Sequence, residues 1–87
     1  MIIINIIEVL KTNKYYILIN NYSHDTQKKG LKLYNYLESL KFKKRFSSFF
    51  EVKTSNIQEF IKQLLEENNI KQDEKLILYD FIKQKNF

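Results

Sequence analysis

Apolar positions fall along this chain in two rhythms, and each switch between them marks a new element. Tyr15–Ile19 is an unbroken β-prone run followed by Asn20, Asn21, Tyr22 and Ser23, a cluster of turn and cap formers. Unbroken rather than alternating apolarity predicts a central strand covered on both faces. From Asp25 to Lys41 the spacing becomes helical, with Leu33, Leu37 and Leu40 in register and Tyr34 beside them. Gly30 weakens the first turn of that helix without forbidding it. Lys44 to Lys53 reads as strand again, long enough for two short strands joined by a tight bend or one strongly curved strand. Ser55 and Gln58 then form an S-x-x-Q capping box, and Ile57, Phe60, Ile61, Leu64 and Leu65 follow the i, i+3, i+4, i+7, i+8 stripe of an amphipathic helix. Asn68 and Asn69 end it, and Lys75–Ile82 is a last strand.

This order is strand, helix, strand pair, helix, strand, which predicts an α+β, ferredoxin-like βαββαβ fold. Right-handed crossovers place both helices on one face of a four-stranded antiparallel sheet. The domain covers residues 15–82, with an N-terminal extra segment at 1–14 and a short C-terminal tail at 83–87. The extra segment is either a strand forming a hairpin with Tyr15–Ile19 across Leu10 to Lys14, or a short helix; its periodicity does not choose. Two helices leave the other sheet face bare, and because the first and last strands are apolar on both sides, that face is expected to pack on a second copy of itself.

Composition sharpens this picture. A chain of 87 residues buries only about 60–65% of its unfolded surface, so its core is small. With no cysteine there is no disulfide and no Cys-based zinc site to supplement it, which again favours a homodimer. The apolar run from Ile2 to Ile7 is interrupted by Asn5 and ends at Glu8, far short of a membrane span, and it lacks the basic flank and cleavage site of a signal peptide. The expected location is the cytoplasm, with no membrane partner.

A formal net charge of +5 attracts polyanions. The charges cluster: Lys41, Lys43, Lys44 and Arg45 put four cations in five positions, interleaved with Phe42 and Phe46, and Lys28, Lys29 and Lys32 add three on the first helix. Such a cluster positions phosphates without reading bases; the alternative is an ordinary solvated helix end. Catalytic candidates are few. His24 and Asp25 lie just past the carboxyl end of the predicted central strand, where open sheets place ligands, but a pair there also starts a helix, with Ser23 or Asp25 as cap. Glu51 and Asp80 stand in predicted strands without an acidic neighbour at i±2. Gly30 is the sole glycine, so there is no phosphate-cradling loop.

The stretch KRFSSFFE from Lys44 to Glu51, with the preceding strand and helix and the capped helix that follows, resembles CRISPR-associated protein 2, the small dimeric subunit of the spacer-acquisition complex. The residues that carry the resemblance are Arg45, Ser48, Phe49, Phe50 and Glu51, and it covers about Tyr15 to Phe81. There is a partial similarity to virulence-associated protein D ribonucleases as well. The resemblance implies a dimer with Ser48 and Phe50 near its axis. It further implies a bridging role between integrase dimers (CRISPR-associated protein 1) in which duplex DNA is supported, here on Lys28, Lys29, Lys43, Lys44 and Arg45.

Family members described as nucleases carry an aspartate at the end of the first strand, and the matching position here is Asn21 or Asn20. Magnesium takes hard, usually anionic oxygen ligands, and a neutral amide is a poor substitute. The expectation is therefore a non-catalytic subunit with no cofactor. The alternatives are a Mg²⁺-dependent endoribonuclease that recruits Asp25, with His24 or Tyr22, and a free-standing regulator or inhibitor built on the same fold.

Overall fold

The structure, a computed structural model, describes residues 1–21, 27–40, 43–46 and 49–83, with backbone alone at 21, 27 and 43–46. The order is β1 (Ile2–Val9), β2 (Lys14–Asn21), α1 (Gln27–Ser39), β3 (Lys43–Phe46), β4 (Phe49–Lys53), α2 (Ile57–Glu67), a single 3-10 turn (Gln72–Glu74) and β5 (Lys75–Ile82). The fold is α+β. From β2 onward the elements follow the expected sequence, and Lys44 to Lys53 resolves into two antiparallel strands.

The N-terminal segment changes the sheet. It is a strand, hairpinned to β2 along its whole length from Ile2 opposite Asn21 to Val9 opposite Lys14. The connecting loop uses left-handed backbone at Lys11 (φ 67°) and Asn13 (φ 58°). Thr12 Oγ1 fastens it, donating to the Val9 carbonyl at 2.7 Å and accepting from the Lys14 N–H at 3.0 Å. The sheet has five strands in the order β3-β4-β2-β1-β5, and β1 runs parallel to β5 from Ile2 opposite Lys75 to Val9 opposite Ile82. The expected four-stranded antiparallel sheet is thus corrected to a five-stranded mixed one. In the expected arrangement the last strand lies beside β2; here β1 is wedged between them. Its row Ile2, Ile4 and Ile6 suits the place, buried in the core between two neighbouring strands.

Alternation along the strands separates two faces. Ile2, Ile4 and Ile6 of β1, Tyr15 and Ile17 of β2, and Phe50 and Val52 of β4 join Leu33 and Leu37 of α1 and Ile57, Ile61, Leu64 and Leu65 of α2 in one buried core. Both helices therefore lie on the same face, as their apolar stripes require. The opposite row contains Ile3, Asn5, Ile7, Leu18, Asn20, Phe49, Leu76 and Leu78, and no described helix covers it.

Local chemistry sets the ends of α2. The N-cap is Asn56, whose Oδ1 accepts the Glu59 N–H at 3.1 Å, so the expected Ser55/Gln58 box is displaced by one residue. At the other end Asn69 takes φ 55°, the Asn69 N–H donates to Glu66 O at 3.2 Å and the Ile70 N–H to Leu65 O at 3.0 Å. This is a Schellman closure, with Ile70 buried against the core as its apolar contact. Asn68 is buried beneath it and donates from Nδ2 to Leu64 O at 2.8 Å. No described helix is long and apolar enough to cross a membrane.

Candidate nucleic-acid interface and open sheet face

The basic cluster at Lys43, Lys44 and Arg45 forms β3, an edge strand that pairs with β4 and shifts register between Lys44 and Phe46. As the edge strand, β3 has no further strand beyond it among the described residues. Lys28 and Lys32 are exposed on α1.

Lys29 is used differently. Its Nζ lies 2.8 Å from both carboxylate oxygens of Glu74 and 3.2 Å from the Asn69 carbonyl. The Lys71 N–H donates to the same carboxylate at 2.9 Å. The bond from Lys29 and then that from Lys71 hold the Glu74 carboxyl below the ordinary glutamate range. Lys29 thereby ties α1 to the segment between α2 and β5, and a phosphate would have to compete with that anchor.

Phe50, expected at the dimer axis, packs within the single chain. It is wholly buried on the helix side, edge-on to Tyr34 with ring centroids 5.1 Å apart. Phe49, one residue earlier, occupies the open face opposite Leu18. Ile3, Ile7 and Leu18 complete the centre of that face, residues that sequence reasoning did not assign to it. The signal was present as parity: Val52 and Phe50 share one side of β4, and Phe49 and Glu51 the other. Ser48, Asp25, His24 and Tyr22 lie outside the described residues.

Of the two amides at the end of β2, Asn21 is the last strand residue and pairs with Ile2, while Asn20 pairs with Ile3 on the open face. The strand acids have local partners. Glu51 meets Lys14 Nζ at 3.1 Å, and Asp80 Oδ1 accepts the Phe81 N–H at 2.7 Å. Glu8, in the strand the sequence left undecided, accepts from the Tyr79 hydroxyl. Desolvation, then the Glu8 bond, raises the Tyr79 pKa. No group of three or more His, Cys, Asp or Glu side chains converges among the described residues. A groove of about 610 Å³ runs between α2 and β5, floored by Ile61, Leu65 and Ile77 and rimmed by Lys62, Glu66 and Lys75.

Comparison with protein-family profiles, with curated proteins and with solved structures finds no match to this chain.

Proposed function

We propose that the protein is a non-catalytic homodimeric scaffold that supports duplex nucleic acid, the role implied by its resemblance to CRISPR-associated protein 2, with an integrase as the corresponding protein partner. The observation that carries this reading is a sheet face that no described helix covers, where half-buried Ile3, Ile7, Leu18 and Phe49 surround Asn5, with the basic edge strand β3 at its rim. Removing that face from water is the gain that drives pairing, and about 1,600 Å² in total is ordinary for such an interface. A two-fold pairing of faces doubles β3 and its three cations. Phosphate contacts from Lys and Arg give affinity on any sequence, which suits a support rather than a reader of bases.

The test pairs two measurements. Binding to duplex DNA is titrated at several salt concentrations for the parent chain, for Lys43→Ala with Lys44→Ala, and for Lys62→Ala with Lys71→Ala as a control. Each lost phosphate contact lowers the slope of log K against log salt by about 0.9, so the β3 variant flattens the slope and the control does not. Equal behaviour of the two double variants rejects the nucleic-acid role. The same preparations are then incubated with RNA and DNA in magnesium or manganese. Cleavage abolished by Asp25→Ala would replace the scaffold with the endoribonuclease alternative.

A further inference from the structure

The two edges of the sheet are built differently. β3 is four residues long, basic, and broken by a register shift, three features that make a strand a poor template for another chain. β5 closes the opposite side with eight residues, no proline and unbroken register against β1. Along it Leu76 is 45%, Leu78 47%, Tyr79 51% and Phe81 60% exposed. A long, apolar, regular edge is a site for strand addition.

The pairing with β1 dictates which backbone groups this edge offers. In a parallel pair, both polar groups of one residue point to the same neighbour, and successive residues alternate. The Leu10 N–H donates to the Ile82 carbonyl at 3.0 Å, so Ile82 turns toward β1, and with it Asp80, Leu78 and Leu76. Lys75, Ile77, Tyr79 and Phe81 turn outward. Asp80 Oδ1 already holds the Phe81 N–H, which closes that end and leaves Lys75, Ile77 and Tyr79 as the open stretch among the described residues.

We propose that this stretch pairs antiparallel with the same stretch of a second copy, about a two-fold axis at Ile77. In that register Ile77 meets its own equivalent, each Lys75 lies opposite a Tyr79, and each Leu76 lies opposite a Leu78 on the open face. The charges match: the Tyr79 hydroxyl donates to Glu8, so a carboxylate stands where the second copy's lysine arrives. The groove between α2 and β5 lies beside the incoming side-chain row and takes its apolar members. Neighbouring registers fit less well. Moving the axis to Leu78 sets Leu76 against Asp80 and needs the Phe81 N–H that Asp80 holds; moving it to Tyr79 sets Lys75 against Lys83. Edge pairing is independent of face pairing, and either can fail alone.

Cysteine pairing reads the register. Leu76 and Leu78 form a non-hydrogen-bonded cross-strand pair, with Cα atoms about 4.5 Å apart, within disulfide reach. Mixing the Leu76→Cys chain with the Leu78→Cys chain is expected to give a cross-linked heterodimer under mild oxidation, while neither chain cross-links alone. A disulfide can also bridge two face-packed sheets, so the cross-link is scored together with exchange of the outward amides, which face pairing leaves without a hydrogen bond. Self-linking of the Leu78→Cys chain would overturn the Ile77 axis. Hydrogen exchange on the unsubstituted chain tests the edge itself: the Ile77 and Tyr79 amides should be protected to the degree of Leu76 and Leu78. If they exchange on the order of a hundredfold faster at millimolar concentration, the edge is free in solution and the proposal fails.

Discussion

Lys29 and Glu74 stand 45 positions apart in the chain and meet as a bidentate pair, with Nζ 2.8 Å from each carboxylate oxygen. A lysine that looks like part of a phosphate-binding row is in fact a strut. It joins α1 to the turn that launches β5.

The strut gives a pH dependence. The pKa of Glu74 in the folded chain lies below its ordinary value of 4.5. Its contribution to stability is therefore complete above that value and disappears as pH falls through the lower folded one. Glu74→Gln should be less stable than the parent at neutral pH, with the gap closing as pH drops below about 4.5. Urea unfolding across pH 3 to 7 checks this, and a gap that stays constant would assign the loss to something other than the charge.

The cap of α2 offers a contrast between adjacent residues. Asn56→Ala removes the acceptor for the Glu59 N–H and should cost about 1 kcal/mol. Ser55→Ala should stay within about 0.5 kcal/mol, the range of surface changes away from such features. Denaturant midpoints of the two variants rank them directly.

Phe49 and Phe50 should separate in the same manner, along a different axis. Phe50→Ala empties a fully buried ring site and should destabilise the chain by about 3–5 kcal/mol. Phe49→Ala should leave the fold of each copy nearly intact while weakening face association. Thermal unfolding gives the first effect; sedimentation at micromolar concentration gives the second.

Lys11 in the β1-β2 loop holds a left-handed conformation that a side chain with a Cβ resists. Lys11→Gly should relieve strain of about 1 kcal/mol, partly offset by the greater freedom of glycine when unfolded. Lys11→Val should be clearly worse than the parent. Melting temperatures of the pair settle the sign.

Much of this molecule was legible before any coordinates. The stripe from Ile57 to Leu65 marked α2, and the Asn68-Asn69 stop is its Schellman closure. Lys75–Ile82 is β5 to the residue. What stayed hidden was relational. Apolar residues from Ile2 to Ile7 state that a strand wants cover, but not which strands flank it, so the wedge between β2 and β5 had no local signature. Asn56 and Ser55 are both good caps, and the choice depends on where the first helical turn docks. Within the candidate site, composition singled out the cations as a group. The diversion of Lys29 required knowing that Glu74 comes close, a contact set by tertiary packing rather than by spacing.

The wedge has a consequence for how the sheet is assembled. Of the five described strands β1 is made first and β5 last, yet they pair along eight residues from Ile2 opposite Lys75 to Val9 opposite Ile82. On the ribosome the β1-β2 hairpin emerges before β5 and waits with one flank of isoleucine-rich backbone open until β5 has followed. Closing so large a loop is slow and is rewarded only at the end. During that interval the nascent hairpin is the part of the molecule most exposed to pairing with the wrong strand.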